Sequence, residues 1–131
     1  MKLARVLAAL AMVVALAPVA FSAKPNPARV RSDALVKQAE ANVMQAGKSD
    51  PFDTKLINRA IDQLHQALKV DPKNDSAYVD LGFCYSALRD GPTAVDMYRT
   101  ATLINPSPAN FKELADIYLR TGNAEGALMA A

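Results

Sequence analysis

The chain has 131 residues, of which 51% are hydrophobic and 21% are charged, and its formal net charge is +2. This length suits one ordinary domain, and the near balance of charge excludes the basic excess that nucleic-acid-binding proteins use. The single cysteine, Cys84, excludes an internal disulfide.

The N-terminal segment has the features of a secretory signal peptide. Lys2 and Arg5 form a short basic region, and residues 6–17 form an apolar run without charge, Gly or Pro. Small residues at positions 20 and 22 then predict cleavage after residue 22 or 23. We therefore assign residues 1–22 to a signal peptide and expect a periplasmic or secreted protein.

An uncleaved membrane anchor is the alternative interpretation of this segment, because residues 6–23 approach the roughly 20 residues that a span needs. Pro18 and the small residues favour cleavage. Cleavage would leave 13 basic and 13 acidic residues and no membrane span, so the mature chain offers no basic patch for nucleic acid.

Residues 23–31 contain two prolines and three basic residues, a composition that predicts an extended linker. A first helix is expected to begin at a Ser32-Asp33 cap and to end near Ala46. The next helix is expected to begin in the stretch that contains Asp50, Pro51 and Asp53, and to run to about Val70.

The central stretch, residues 75–106, carries the clearest pattern. Its first helix has a stripe of inward-facing residues at spacings of three and four. Asp90-Gly91-Pro92 ends this helix and opens a second one, which has an inward-facing stripe of its own. Gly82 lies on the first stripe although glycine lowers helix stability by roughly 1 kcal/mol relative to alanine, which predicts close contact with a neighbouring helix. The two stripes consist of Tyr78, Leu81, Gly82 and Tyr85, and of Ala94, Tyr98 and Ala101, and the second helix ends before Asn105-Pro106.

These residues and spacings resemble the tetratricopeptide repeat, with Tyr78 in place of the usual Trp. The pattern returns after a shift of about 34 residues towards the N-terminus and 33 towards the C-terminus. The returning positions are Ala60, Leu64 and Ala67 on one side and Phe111, Leu114 and Tyr118 on the other. The resemblance implies an all-α, right-handed α-solenoid of about three helix-turn-helix repeats.

The outer repeats depart from the pattern. Residues 32–72 form a degenerate first repeat, in which 13 residues separate Gly47 from Ala60 where the last repeat has five. This difference predicts an insertion of about eight residues, placed at the start of the second helix of that repeat.

The third repeat, residues 107–131, is expected to begin at a Ser107-Pro108 cap and to continue to Arg120 before a truncated second helix. Three interpretations of this end stay open. In the first interpretation the end belongs to a longer array, in the second it is covered by another copy or a partner, and in the third it is a short frayed helix.

Catalytic chemistry is not indicated by any motif. The sequence has no Gly-rich phosphate loop, HExxH, CxxC pair or Gly-x-Ser-x-Gly elbow, so we predict no enzyme, no cofactor and no metal. His65 is expected on the surface and Cys84 in the core as an inert thiol. Four aspartates are expected to be caps or to lie on solvated faces, and they are Asp62, Asp71, Asp75 and Asp80.

Protein recognition is the function that the resemblance implies, through a concave groove lined by the first helix of each repeat. Phe83 lies off the packing stripe and is the candidate anchor, although packing against the next repeat is the alternative. Val79 and Phe83 stand where family members that hold a C-terminal carboxylate have Lys and Asn, which favours an apolar groove. The candidate groove residues are Val79, Phe83, Ser86, Ala87, Lys112, Asp116, Leu119 and Arg120.

The expected function is therefore a non-catalytic interaction module of the bacterial envelope. It would bind a peptide or helix in the groove, or dock through its C-terminal end within an envelope assembly, with a homo-oligomer as one form of that contact. The alternative is a regulatory or scaffolding subunit of an envelope enzyme, such as one acting on peptidoglycan.

Overall fold

The computed structural model describes residues 24–123, 126, 129 and 130, and these residues form helices and no strands. The helices pair in chain order as α1 with α2 and α3 with α4, and α5 begins a third pair. Their bounds are Pro27–Lys48 (α1), Thr54–Val70 (α2), Asp75–Ala87 (α3), Gly91–Ile104 (α4) and Pro108–Arg120 (α5). The predicted all-α solenoid of about three repeats is confirmed. The predicted signal peptide, residues 1–22, lies outside the described residues.

Side-chain caps begin four of the five helices. Asp53 accepts hydrogen bonds from the backbone N–H groups of the first turn of α2, and Ser107 accepts one from Asn110 in α5. Asp90 and Asn26 cap α4 and α1 in the same way. The start predicted at Ser107 is confirmed, and α2 begins directly after the predicted stretch of residues 50–53, with Asp53 as its cap. In each case a side-chain oxygen satisfies an otherwise unpaired backbone donor.

The first helix begins at Pro27, not at Ser32, so the predicted linker of residues 23–31 is wrong from Pro27 onward. Proline is tolerated in a first helical turn because its missing N–H has no intrahelical partner there, and Asn26 supplies the cap. Ser32 lies inside α1, fully buried, and its hydroxyl donates to the Ala67 carbonyl of α2 at 2.9 Å.

The extra length of the first repeat also differs from its predicted place. Helix α1 has 22 residues, whereas α3 and α5 each have 13. Helix α2 exceeds α4 by less, with 17 residues against 14. Most of the additional chain therefore lengthens the first helix of the repeat, and about one turn lies in the second.

The turns within the second and third repeats have the same backbone geometry. Arg89 and Gly122, 33 residues apart, both have positive φ, at 63° and 77°. In each turn the next residue donates its N–H to a tyrosine carbonyl near the end of the preceding helix, Tyr85 in one turn and Tyr118 in the other. The turns thus follow the repeat period that the sequence showed.

The contact predicted at Gly82 is present. A Cβ built at this position would lie 2.8 Å from carbon atoms of the Tyr98 ring in α4, closer than packed carbon atoms approach. Gly82 therefore lets α3 and α4 come together. Cys84, which follows shortly after on α3, is fully buried, as predicted.

A polar cluster on the edge formed by the turns between repeats, the turn-side cluster, joins three repeats around Asp75. Its side chain accepts from Arg29 Nη2 at 3.3 Å, from Asn105 Nδ2 at 2.9 Å and from Asn110 Nδ2 at 3.1 Å. Arg29 also donates to Asp71 Oδ2 at 3.3 Å. Partial burial raises the pKa of Asp75, but the hydrogen bonds from Asn105, Asn110 and Arg29 outweigh it and hold that pKa below its usual value.

The first helices of successive pairs lie side by side, since α1 contacts α3 and α3 contacts α5. Helix α2 packs between α1 and α3, and α4 packs between α3 and α5. One surface of the array is thus made by α1, α3 and α5. No helix in the described ranges is both long enough and apolar enough to cross a membrane.

Candidate functional site

The surface of the three first helices carries a small cavity between α1 and α3. Its volume is about 300 Å³, and it is lined by Glu40, Val43, Met44, Asp80 and Phe83. We call it the Phe83 pocket. Phe83 is 50% exposed and Met44 is 63% exposed, so two large apolar side chains meet solvent here. The alternative that Phe83 is packed beneath the next repeat is not what the structure shows.

Asp80 lies on the same helix face as Phe83, three residues before it, and is half-buried. Its Oδ2 atom is buried and has no hydrogen-bond partner among the described residues. Burial, and then the nearby charge of Glu40, raise the pKa of Asp80 from 3.8 to about 7. The prediction that Asp80 is a cap or lies on a solvated face is wrong.

The eight groove residues predicted from the sequence do not form a single site. Of these eight residues, only Phe83 lines the Phe83 pocket. Ser86, Ala87 and Arg120 line a second cavity of about 530 Å³ between α3 and α5. Val79 is half-buried and packs against the core formed by α4 and α5, so it contributes to the interface between repeats.

The remaining predicted residues lie on α5. Lys112 Nζ and Asp116 Oδ2 form an exposed ion pair at 3.0 Å, one helical turn apart. Both line a cavity of about 620 Å³ at the C-terminal end of the described residues. Leu119 is 62% exposed. The second helix predicted after Gly122 is described only at residues 126, 129 and 130.

Sequence reasoning missed four of the five residues of the Phe83 pocket. A signal was present for Asp80, since a spacing of three residues from Phe83 on a helix places both on one face. No comparable signal was present for Glu40, Val43 and Met44, because α1 lacks the repeat signature and its register against α3 depends on packing.

The histidine and the cysteine, the side chains outside the groove that could take part in catalysis, have environments that are consistent with structural roles. His65 is exposed, and its Nε2 lies 3.4 Å from the Tyr85 hydroxyl. Burial raises the pKa of the Cys84 thiol to about 12, which disfavours the reactive thiolate. Across residues 24–123 and the three described beyond them, no group of three or more His, Cys, Asp or Glu side chains is placed to hold a metal ion.

Paired helices, a repeat period of 33 to 34 residues and matching turns define a helical repeat protein. The family model described as tetratricopeptide repeat matches residues 52–114. Residues 52–114 therefore belong to the tetratricopeptide-repeat family, as the sequence pattern predicted, and such repeats are typically non-catalytic modules for protein interaction.

Among the solved structures with a similar fold are two helical repeat proteins. The crystal structure of MamA aligns with a TM-score of 0.62 and 21% identity, over 76% of this chain and 53% of that chain. TTC0263, a thermophilic TPR protein in Thermus thermophilus, aligns with a TM-score of 0.65 and 22% identity, over 98% of this chain and 66% of that chain. The chain thus spans about half the length of MamA. A comparison with curated proteins gave no match.

Proposed function

We propose that this protein is an interaction module of the bacterial envelope that binds a peptide or a helix on the surface of α1, α3 and α5. The observation that carries the proposal is the pair of exposed apolar side chains, Phe83 and Met44, at a cavity between two of these helices. A half-exposed aromatic side chain in a concave site is typical of an anchor for a partner.

The envelope location rests on residues 1–23, whose basic start, apolar run and small residues are typical of an export signal. To test it, residues 1–31 can be fused to a reporter enzyme that is active only after export. We expect activity together with the mass of a product cleaved after residue 22 or 23. An inactive fusion would contradict the location.

Affinity capture from an envelope extract, with two variants, tests the groove. Phe83→Ala removes the candidate anchor, and Leu103→Ala is the matched control, because Leu103 is 79% exposed on α4, away from the groove. We expect a partner that the wild type and Leu103→Ala retain and that Phe83→Ala loses. A partner retained equally by all three proteins would show that Phe83 is not the anchor.

The identity of the partner separates the two biological roles that the groove can serve. Recovery of structural components for pili, secretion or outer-membrane biogenesis supports a subunit of an envelope assembly. Recovery of one hydrolase or transferase, for example one acting on peptidoglycan, supports a regulatory or scaffolding subunit of an enzyme. Circular dichroism of each variant establishes that a lost partner does not reflect unfolding.

A second candidate is self-association through the C-terminal repeat. It is favoured by Phe111 and Met129, which are 38% and 85% exposed and line the same cavity of about 620 Å³. Light scattering on the wild type and on Met129→Lys tests it. A dimer that the charged side chain converts to a monomer supports the contact, and a wild type that is monomeric at all concentrations contradicts it.

A further inference from the structure

We propose that the Phe83 pocket receives a Lys or Arg side chain of the bound segment, with Asp80 and Glu40 as the anionic partners of its charged group. This inference rests on the proposed function, since it assumes that the groove is the binding surface. It adds the chemistry by which a partner is recognised.

The first argument is the unpaired carboxylate. Buried polar atoms in proteins almost always have a hydrogen-bond partner, and Asp80 Oδ2 has none in the part of the chain that is described. The ion pairs formed within that part include neither Asp80 nor Glu40. They involve Arg29 with Asp33, Asp71 and Asp75, Arg99 with Asp96, and Lys112 with Asp116. A cationic donor from outside would therefore satisfy a group that the fold leaves unsatisfied.

The second argument is the chemistry of the walls. Val43, Met44 and Phe83 present apolar surface beside the two carboxylates. Lys and Arg combine an apolar stem with a charged head, so the stem would pack on Val43 and Met44 while the head reaches Asp80. The exposed ring of Phe83 offers a cation–π contact to the same head. A volume of about 300 Å³ has room for one long side chain.

Other occupants fit less well. A metal ion requires several oxygen, nitrogen or thiolate ligands, and the pocket supplies two carboxylates among apolar side chains. An anionic ligand would be repelled by Asp80 and Glu40. A purely apolar side chain would leave Asp80 Oδ2 buried without a donor, which costs affinity.

Selection from random peptides displayed on phage tests the inference without knowledge of the natural partner. The wild-type protein serves as the target, and the selected peptides are then measured by fluorescence anisotropy. We expect peptides with a Lys or Arg beside an apolar residue, and at least about tenfold weaker binding when Asp80→Asn removes the charge. Replacing that Lys or Arg of the peptide by Met should weaken binding similarly.

Two further variants complete the test, one as a matched control and one as a second probe of the pocket. Asp62→Asn makes the same chemical change at an exposed position of α2, outside the pocket, and should leave affinity unchanged. Glu40→Gln alters the second carboxylate at an exposed position, where the substitution does not disturb packing, and should weaken binding by less than Asp80→Asn. It keeps the test valid if Asp80→Asn alters the fold.

The outcomes separate the two proposals. Peptides that lose binding with Phe83→Ala, but lack Lys and Arg and bind Asp80→Asn normally, would overturn the cationic pocket and leave the groove in place. If no selected peptide depends on Phe83, the groove and the pocket both fail.

Discussion

Two aspartates on α3, five residues apart and both partly buried, differ in their hydrogen-bond partners and in the direction of their pKa shifts. Asp75 belongs to the turn-side cluster, where three side chains donate to it and lower its pKa. Asp80 lies in the Phe83 pocket, where burial and Glu40 raise its pKa to about 7 and one oxygen has no partner among the described residues. The carboxylate of Asp75 thus has hydrogen-bond donors for both of its oxygens, whereas the carboxylate of Asp80 has one oxygen without a donor in the described part of the chain.

The difference shows that the joins between repeats and the surface of the first helices treat charged side chains differently. Where repeats must join, charges are matched within the chain, since unpaired charges there would oppose folding. Where the first helices form an open surface, one oxygen of a half-buried carboxylate has no hydrogen-bond partner in the described part of the chain, and an aromatic ring is half exposed beside it. Such a combination favours a partner from outside.

The largest expected effect on stability comes from Gly82→Leu. This substitution would displace α3 from α4 and so disturb both the turn-side cluster and the Phe83 pocket. The new side chain would overlap the Tyr98 ring, because even a Cβ would lie 2.8 Å from it. We expect a loss of roughly 1–3 kcal/mol or more in the free energy of unfolding, measured by urea denaturation. Gly47→Leu is the control, since a Cβ at Gly47 meets nothing within 4 Å. Equal unfolding midpoints for wild type and Gly82→Leu would refute the assigned packing.

Asp75→Ala should destabilise the protein next most, since it leaves Arg29, Asn105 and Asn110 without their shared acceptor. The expected loss is roughly 1–3 kcal/mol at pH 7, measured by thermal or urea unfolding. Because the pKa of Asp75 is lowered in the folded state, its stabilising effect is present above the ordinary value of 3.8. That effect disappears as the pH falls through the lower folded-state value.

The stability difference between wild type and Asp75→Ala should therefore shrink in acid. An undiminished difference at low pH would show that the hydrogen bonds do not depend on the ionised carboxylate. Asp62→Ala, at an exposed position of α2, controls for the loss of one surface charge.

Asp80→Asn should have the opposite effect and increase the free energy of unfolding in alkaline solution. The pKa of Asp80 is raised in the folded state, so its neutral form is favoured by folding, and the cost of its charge grows from about pH 4 to a full value above about pH 7. We expect a gain of roughly 1–3 kcal/mol at pH 8 and almost none at pH 4.

The titratable groups near Asp80 determine which pH range isolates its own titration. Glu40 of α1 adds negative charge, while Cys84 and Tyr98 have pKa values raised to about 12 and stay neutral over this range. Melting of wild type and variant at pH 4, 6 and 8 provides the measurement. A constant difference across that range would exclude a titrating carboxylate at Asp80.

The smallest effect on stability is expected for Phe83→Ala. Half of the Phe83 side chain is already exposed, so its removal should cost about 1 kcal/mol or less in the free energy of unfolding. The same variant should lose most of its peptide binding. Helicity by circular dichroism and anisotropy with a selected peptide measure the two quantities, and a large loss of helicity would refute the groove assignment.

The repeat signature predicted much of the fold because it specifies which residues face inward. The places of Gly82, Cys84 and the Ser107 cap are local properties, and the structure confirms them. The start of α1 differs from the prediction because two prolines and three basic residues are typical of a linker, while Asn26 and Pro27 also suit a helix start. What favours a helix there is the cap, together with bonds from Arg29 to Asp71 and Asp75, which are distant in sequence.

The sequence by itself determined the helix-turn-helix period and the packing stripes, and it placed Phe83 off those stripes, because these follow from residue spacing along one helix. Only the tertiary structure decided the two environments of Asp75 and Asp80. Partners for the first come from α1, α5 and the turn before α5, and the walls of the pocket around the second come partly from α1. Burial and pairing of a charge depend on such distant contacts, which no local pattern records.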